Sequence, residues 1–114
     1  MPLTESTIAS ALLKSAEHYH NQARWDCRLF LLMPDHLHAL LAFPHDKPMG
    51  QVIRKWKAYQ AGRLGIPWQG NFFDHRIRSP DELEEKAAYI RLNPVRKSLC
   101  RSEEDWPWSI ACVA

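Results

Sequence analysis

The chain has 114 residues, 46% of them hydrophobic, and a formal net charge of +2, which suits one soluble domain with its own core. No run approaches the roughly 18 apolar residues of a membrane span, and no basic segment followed by an apolar one marks a signal peptide. Cys27, Cys100 and Cys112 are scattered without a CxxC pair, which argues against a disulfide framework or zinc ribbon and for a reducing, cytoplasmic setting.

The first predicted element is a helix from Thr4 to about Gln22, capped by Thr4 or Ser6, with Ile8, Leu12, Ala16 and Tyr19 along its buried stripe. Trp25 to Leu32 is a predicted strand. Met33-Pro34-Asp35 turns the chain into a second strand that opens with His36-Leu37-His38, so the two form an antiparallel hairpin. Alternate side chains of a strand share a face. His36 and His38 therefore project together, while Leu37, Ala39, Leu41 and Phe43 line the opposite, core-facing side.

After a loop from Pro44 to Pro48, helical spacing returns from Met49 to Leu64. Met49, Val52, Ile53, Trp56 and Tyr59 are expected inward, with Arg54, Lys55, Lys57 and Arg63 around the other side. Gly65-Ile66-Pro67 ends this helix. Phe72 to Arg78 alternates as a third strand would. Ser79-Pro80-Asp81-Glu82 is a helix start: serine caps, proline takes the first turn, and two acids meet the positive end of the dipole. The helix runs to about Leu92, because the residue before Pro94 disfavours the helical region. The tail with Trp106-Pro107-Trp108 is too aromatic for a disordered extension and is expected to cap the core. The pattern is that of a single α+β domain over residues 1–114.

The charge is uneven. Residues 51–101 carry 11 Lys/Arg against 5 Asp/Glu, a balance of +6, whereas the rest carries 4 against 8, a balance of −4. Basic residues interleaved with Trp56, Tyr59, Trp68, Phe72 and Phe73 suit a polyanion with exposed bases. A solvated helix face over an aromatic core gives the same pattern. Arg54, Lys55, Lys57, Arg76 and Arg78 are the candidate contacts to nucleic acid.

On the last helix Leu83, Ala87 and Ile90 mark the buried stripe. Tyr89 lies about 100° away from Ile90 and skirts the core, and Asn93, four residues on, is expected to share its face. Two imidazoles and an amide oxygen can hold a metal, and a phenol alongside can act as nucleophile in phosphoryl transfer. With a phenol pKa of about 10, that tyrosine needs local activation. Each feature also has a plainer explanation: a His-x-His pair without metal, a tyrosine that only packs, an asparagine that only ends a helix.

The motifs go further together. Met33-Pro34-Asp35-His36-Leu37-His38 resembles the His–hydrophobic–His (HUH) motif of single-tyrosine transposases, and Tyr89-Ile90-Arg91-Leu92-Asn93-Pro94-Val95-Arg96 resembles their tyrosine-helix signature. The segments from Trp68 to Arg76 and from Glu104 to Ser109 resemble the REP-associated tyrosine transposase branch. The resemblance implies a ferredoxin-like α+β HUH endonuclease fold, an antiparallel sheet with helices packed on it, acting on single-stranded DNA beside a hairpin. It implies that His36, His38 and Asn93 hold a divalent cation, Mg2+ or Mn2+, and that Tyr89 forms a 5′-phosphotyrosine link and leaves a 3′-hydroxyl.

One departure stands out. Members of the family begin with a strand ahead of the first helix, for which Met1-Pro2-Leu3 is too short. An apparently missing first strand implies an open sheet edge and a possible homodimer. The alternatives to a transposase are a catalytically inactive module that binds single-stranded or hairpin DNA and a His-x-His metallohydrolase without nucleic acid, against which the basic, aromatic second half argues.

Overall fold

A computed structural model of the chain describes residues 2–44, 46, 48–68 and 79–112. The expected strand from Phe72 to Arg78 lies outside the described residues, and with it Arg76 and Arg78.

Helix α1 spans Ser6–Asn21 and is followed by strand β1, Asp26–Leu32, and strand β2, Leu37–Ala42. Helix α2 covers Met49–Leu64, α3 Pro80–Arg91 and the short α4 Asn93–Arg96. A 3-10 turn, Glu103–Asp105, precedes strand β3, Ser109–Ile110. The described strands form an antiparallel sheet in the order β2-β1-β3. With helices packed on the sheet, this is the expected α+β class.

β1 is buried on both sides, and a bulge decides which side each residue serves. Cys27 pairs with Leu41 but Leu29 pairs with Leu40, so Arg28 is an extra residue in β1. Its guanidinium reaches Asp26 at 3.0 Å on the surface. Beyond the bulge, Phe30 and Leu32 join Cys27 in one apolar cluster with Ile8, Leu12, Ala16, Trp25 and Trp56. Leu29, Leu31 and Met33 point the other way and pack with Leu40, Ala87 and Ile90. The sheet thus carries α1 and α2 on one face and α3 on the other.

The α1/α2 face is an aromatic core. Trp25 lies 4.9 Å from Tyr19 and 5.9 Å from Trp56 between ring centroids, and Trp56 lies 5.5 Å from Phe30. The polar edges of these rings are satisfied: Trp25 Nε1 donates to Ala16 O at 3.0 Å and Trp56 Nε1 to Ser15 Oγ at 2.8 Å. Leu37, Ala39, Leu41 and Phe43 pack against this cluster, as the alternation of β2 implies.

Several expectations need correction. The cap of α1 is Glu5, not Thr4 or Ser6: its carboxylate accepts from Thr7 N at 3.2 Å and Ile8 N at 3.1 Å, reaching two free amides where a hydroxyl serves one. Tyr59 is 59% exposed, and Gln60 is fully buried in its stead. Gln60 follows Trp56 by one turn and donates from Nε2 to Ser15 Oγ, so a polar contact to α1 sets the rotation of α2. The aromatic tail does more than cap: Leu32 N donates to Trp108 O at 2.9 Å, and the two residues after Trp108 pair with Leu31 and Phe30 as β3.

Other signals hold. Ser79 Oγ accepts from Glu82 N at 3.1 Å with Pro80 in the first turn of α3. Gly65 ends α2 at φ 69°, the left-handed conformation glycine adopts without penalty. Leu3 is buried in the α1 cluster, its N–H donating to Pro34 O at 2.8 Å.

Candidate active site

β2 begins at Leu37, so His36 lies one residue before the strand and His38 within it. Both lie on the face opposite Leu37 and Ala39, which is the face that packs α3. There His36 Nε2 comes within 3.2 Å of His38 Nε2, with the rings at 83° to one another. Asn93, only 9% exposed, brings its side-chain Nδ2 to 2.8 Å from the same His38 Nε2. Three side chains from two distant parts of the chain meet at one point.

Protonation can be followed around the cluster. Asp35 Oδ1 lies 2.7 Å from His36 Nδ1, which fixes that nitrogen as the donor and leaves the lone pair of neutral His36 on Nε2. The hydrogen bond from His36, and then its charge, holds the Asp35 carboxyl below the usual range. Asn93 donates to His38 Nε2, so that atom is also a lone pair. In those tautomers both Nε2 atoms, 3.2 Å apart, turn lone pairs to one point where a cation can be held. Burial first, then the charges of His36 and Arg96, keeps His38 below the usual imidazole value, neutral and able to ligate. A half-turn of the Asn93 amide exchanges its nitrogen for a harder oxygen donor. The residues fit a divalent ion held by two imidazoles and an amide oxygen, with Asp35 orienting one imidazole from behind.

Tyr89 lies on α3, one turn before Asn93, but the two side chains do not share surroundings. Tyr89 is 62% exposed while Asn93 is buried. The reason is the break at Leu92, whose ψ of −6° ends α3 before α4 begins and so interrupts the regular 100° step. The ring of Tyr89 is covered by Arg96, whose guanidinium carbon stands 4.0 Å from the ring centroid while Nη2 donates to Tyr89 O at 2.6 Å.

Arg96 and Asp35 are the site residues that sequence reasoning missed. Both signals were available: Arg96 follows Tyr89 by seven residues, two helical turns, and Asp35 immediately precedes His36. Lys97 stands near enough for its charge to bear on Asp35.

The expected α2 cations are not part of this cluster. Arg54 and Lys55 are exposed, and the Lys57 ammonium lies over the Trp68 ring at 5.6 Å. Trp56, on the same helix, belongs to the α1 cluster, so α2 is on the face of the sheet away from the histidines.

Fold and site together define the class: an α+β protein whose antiparallel sheet carries a His–His–Asn cluster on one face, with an exposed tyrosine one turn before the asparagine, on the helix that packs there. No family model matches the chain. It is similar to the REP-associated tyrosine transposase of Escherichia coli, 26% identical over 89 residues that cover 75% of this chain and 53% of that protein. A Haemophilus influenzae protein carrying the same family name is 27% identical over 117 residues, covering 88% of this chain and 64% of its own. The chain therefore spans between about half and two thirds of the length of these curated relatives. A solved structure of a REP-associated tyrosine transposase bound to a REP hairpin superposes with a TM-score of 0.81 at 22% identity, covering 95% of this chain and 67% of that one. That likeness establishes the fold, and the relatives bear out the resemblance carried by the motifs.

Proposed function

We propose that this chain is a metal-dependent single-tyrosine DNA transposase domain of the HUH type, cutting and rejoining single-stranded DNA beside a hairpin. The observation that carries this reading is the meeting of His36, His38 and Asn93 at 3.2 and 2.8 Å, one helical turn from Tyr89. The relatives are named as transposases, and the solved structure similar in fold holds a hairpin.

In this reading the Tyr89 hydroxyl attacks the scissile phosphorus and gives up its proton. The bond from phosphorus to the 3′ oxygen breaks, the 3′ oxygen takes up a proton, and the 5′ phosphate stays on Tyr89. Attack by a 3′-hydroxyl reverses the step and rejoins the strand. His36, His38 and Asn93 would hold Mg2+ or Mn2+, which would supply positive charge where negative charge develops on the phosphate. Imidazole favours softer ions than Mg2+, so Mn2+ would bind more tightly. Asp35 holds the His36 ring in the ligating tautomer, and Asn93, buried against α3, ties the nucleophile's helix to the histidines.

Hairpin or single-stranded DNA is the partner, with the cations on α2 as contacts. Because α2 lies across the sheet, Arg54, Lys55 and Lys57 would meet DNA that extends past the cleavage point. A homodimer would form along the outer edge of β2, which pairs with no strand among the described residues, and light scattering at increasing concentration reports it.

The deciding experiment is incubation with a hairpin oligonucleotide carrying a single-stranded flank and Mn2+, followed by a denaturing gel. A covalent adduct that disappears in Tyr89→Phe supports the reading. Hairpin binding without adduct replaces the transposase with a binding module.

A further inference from the structure

We infer that Arg96 is a positioning residue, which clamps the phenol ring of Tyr89, one helical turn before Asn93, in one orientation. The inference deepens the proposed function and rests on it for the reaction it serves.

An exposed tyrosine near a helix end has little to hold its ring. Tyr89 stands outside both apolar clusters of the described residues, and α3 ends two residues later. A nucleophile free to change rotamer spends most of its time out of line with its target, and a displacement of about 1 Å can cost about a hundredfold in rate. Arg96 removes that freedom in two ways. Its guanidinium carbon stands over the ring, 4.0 Å from the centroid, and Nη2 donates to the Tyr89 carbonyl at 2.6 Å. That carbonyl lies in the last turn of α3, where carbonyls lack intrahelical partners. The clamp spans the break at Leu92, so the same residue also holds α3 and α4 in register across the one point where the helix is interrupted.

The chemistry of the side chain matters. Arginine offers a flat face to stack and five donors in a fixed fork, whereas lysine offers a point charge on a flexible stem. Of those five donors, the bond to Tyr89 O occupies one.

Two readouts test this. With fluorotyrosine incorporated, the chain gives three fluorine resonances, for Tyr19, Tyr59 and Tyr89, the last assigned by its loss in Tyr89→Phe. Arg96→Ala is expected to move the Tyr89 resonance to the position of a free tyrosine and leave the other two in place, which also shows that the variant is folded. In single-turnover adduct formation, Arg96→Ala is expected to lower the rate at saturating hairpin about a hundredfold, with the half-saturating concentration changed less than about threefold. Arg96→Lys is expected to stay as slow as Arg96→Ala. An unmoved Tyr89 resonance overturns the clamp, as does a saturating rate within twofold of the parent. Full recovery of the rate by Arg96→Lys would also overturn it, because charge alone would then suffice. If the parent chain itself forms no adduct, the proposed function falls while the fluorine measurement still decides where Arg96 holds Tyr89.

Discussion

The two faces of the sheet differ in what their side chains are for. On one, α1 and α2 bury Trp25, Phe30, Trp56 and a row of aliphatic residues, and Ser15 accepts from both Trp56 and Gln60. On the other, α3 buries only a small cluster around Leu31, Leu40 and Ile90, and beside it stand two imidazoles, an amide, a carboxylate, a guanidinium and an exposed phenol. β1 serves both faces, and the Arg28 bulge keeps Cys27 and Phe30 on the first while Leu29 and Leu31 serve the second. Stability is concentrated on one side of a single strand and chemistry on the other, so substitutions on the two sides should fail in different ways.

The largest effect expected is on the chemical face. Tyr89→Phe should abolish covalent adduct while changing the free energy of urea unfolding by no more than about 0.5 kcal/mol, as for other exposed positions; a loss as large as that of a core substitution would dissolve the division. Phe30→Ala should do the reverse. It removes a ring packed between Trp25 and Trp56 and should cost about 3–5 kcal/mol in urea unfolding, with any loss of activity tracking the unfolded fraction.

Asp35→Asn sharpens the comparison within the site. The residue is exposed, so stability should hardly change, but the His36 tautomer loses its anchor. Calorimetry should show Mn2+ affinity lower by about 10- to 100-fold, and His38→Ala should lose more, being a ligand itself. Unchanged Mn2+ affinity in a double alanine variant of His36 and His38 would remove the metal from the account. Across the sheet, single alanine substitutions of Arg54 and Lys55 should weaken hairpin binding modestly and reduce its salt dependence. If about 4 to 6 phosphates are neutralised in all, the slope of log affinity against log salt should be about −3 to −4 for single strands.

The smallest effect concerns the cap of α1. Hydrogen bonds from Thr7 and Ile8 hold the Glu5 carboxyl below its ordinary value. A depressed carboxyl stabilises the fold above its unfolded pKa, and that contribution is lost as the pH falls through the folded value. Glu5→Gln should therefore flatten the acid limb of the stability curve and leave the alkaline limb alone. Cys27, pushed up to about 12 by burial and the neighbouring Cys112, should stay unalkylated at pH 8 in the folded chain.

What the sequence by itself determined about this protein is the local part. Periodicity placed α1, α2 and α3, Ser79-Pro80 and Gly65 marked their limits, and the alternation from Leu37 to Phe43 showed which side of β2 faces the core. The pair of His36 with His38 was legible because alternation along β2 fixes direction, whereas the shared face expected of Tyr89 and Asn93 was lost at the break after α3, which no spacing rule foresees. Tertiary structure decided the rest. Only folding brings Asn93 against His38 across 55 positions of sequence, and only the Ser15 hydroxyl, which binds both Trp56 and Gln60, selects Gln60 over Tyr59 as the inward residue of α2. Charge density marked a basic half but not on which side of the sheet its cations stand. A charge carries no periodic signature of its own: its place follows from the apolar residues that dock its helix, and these bury Trp56 on the face away from the histidines.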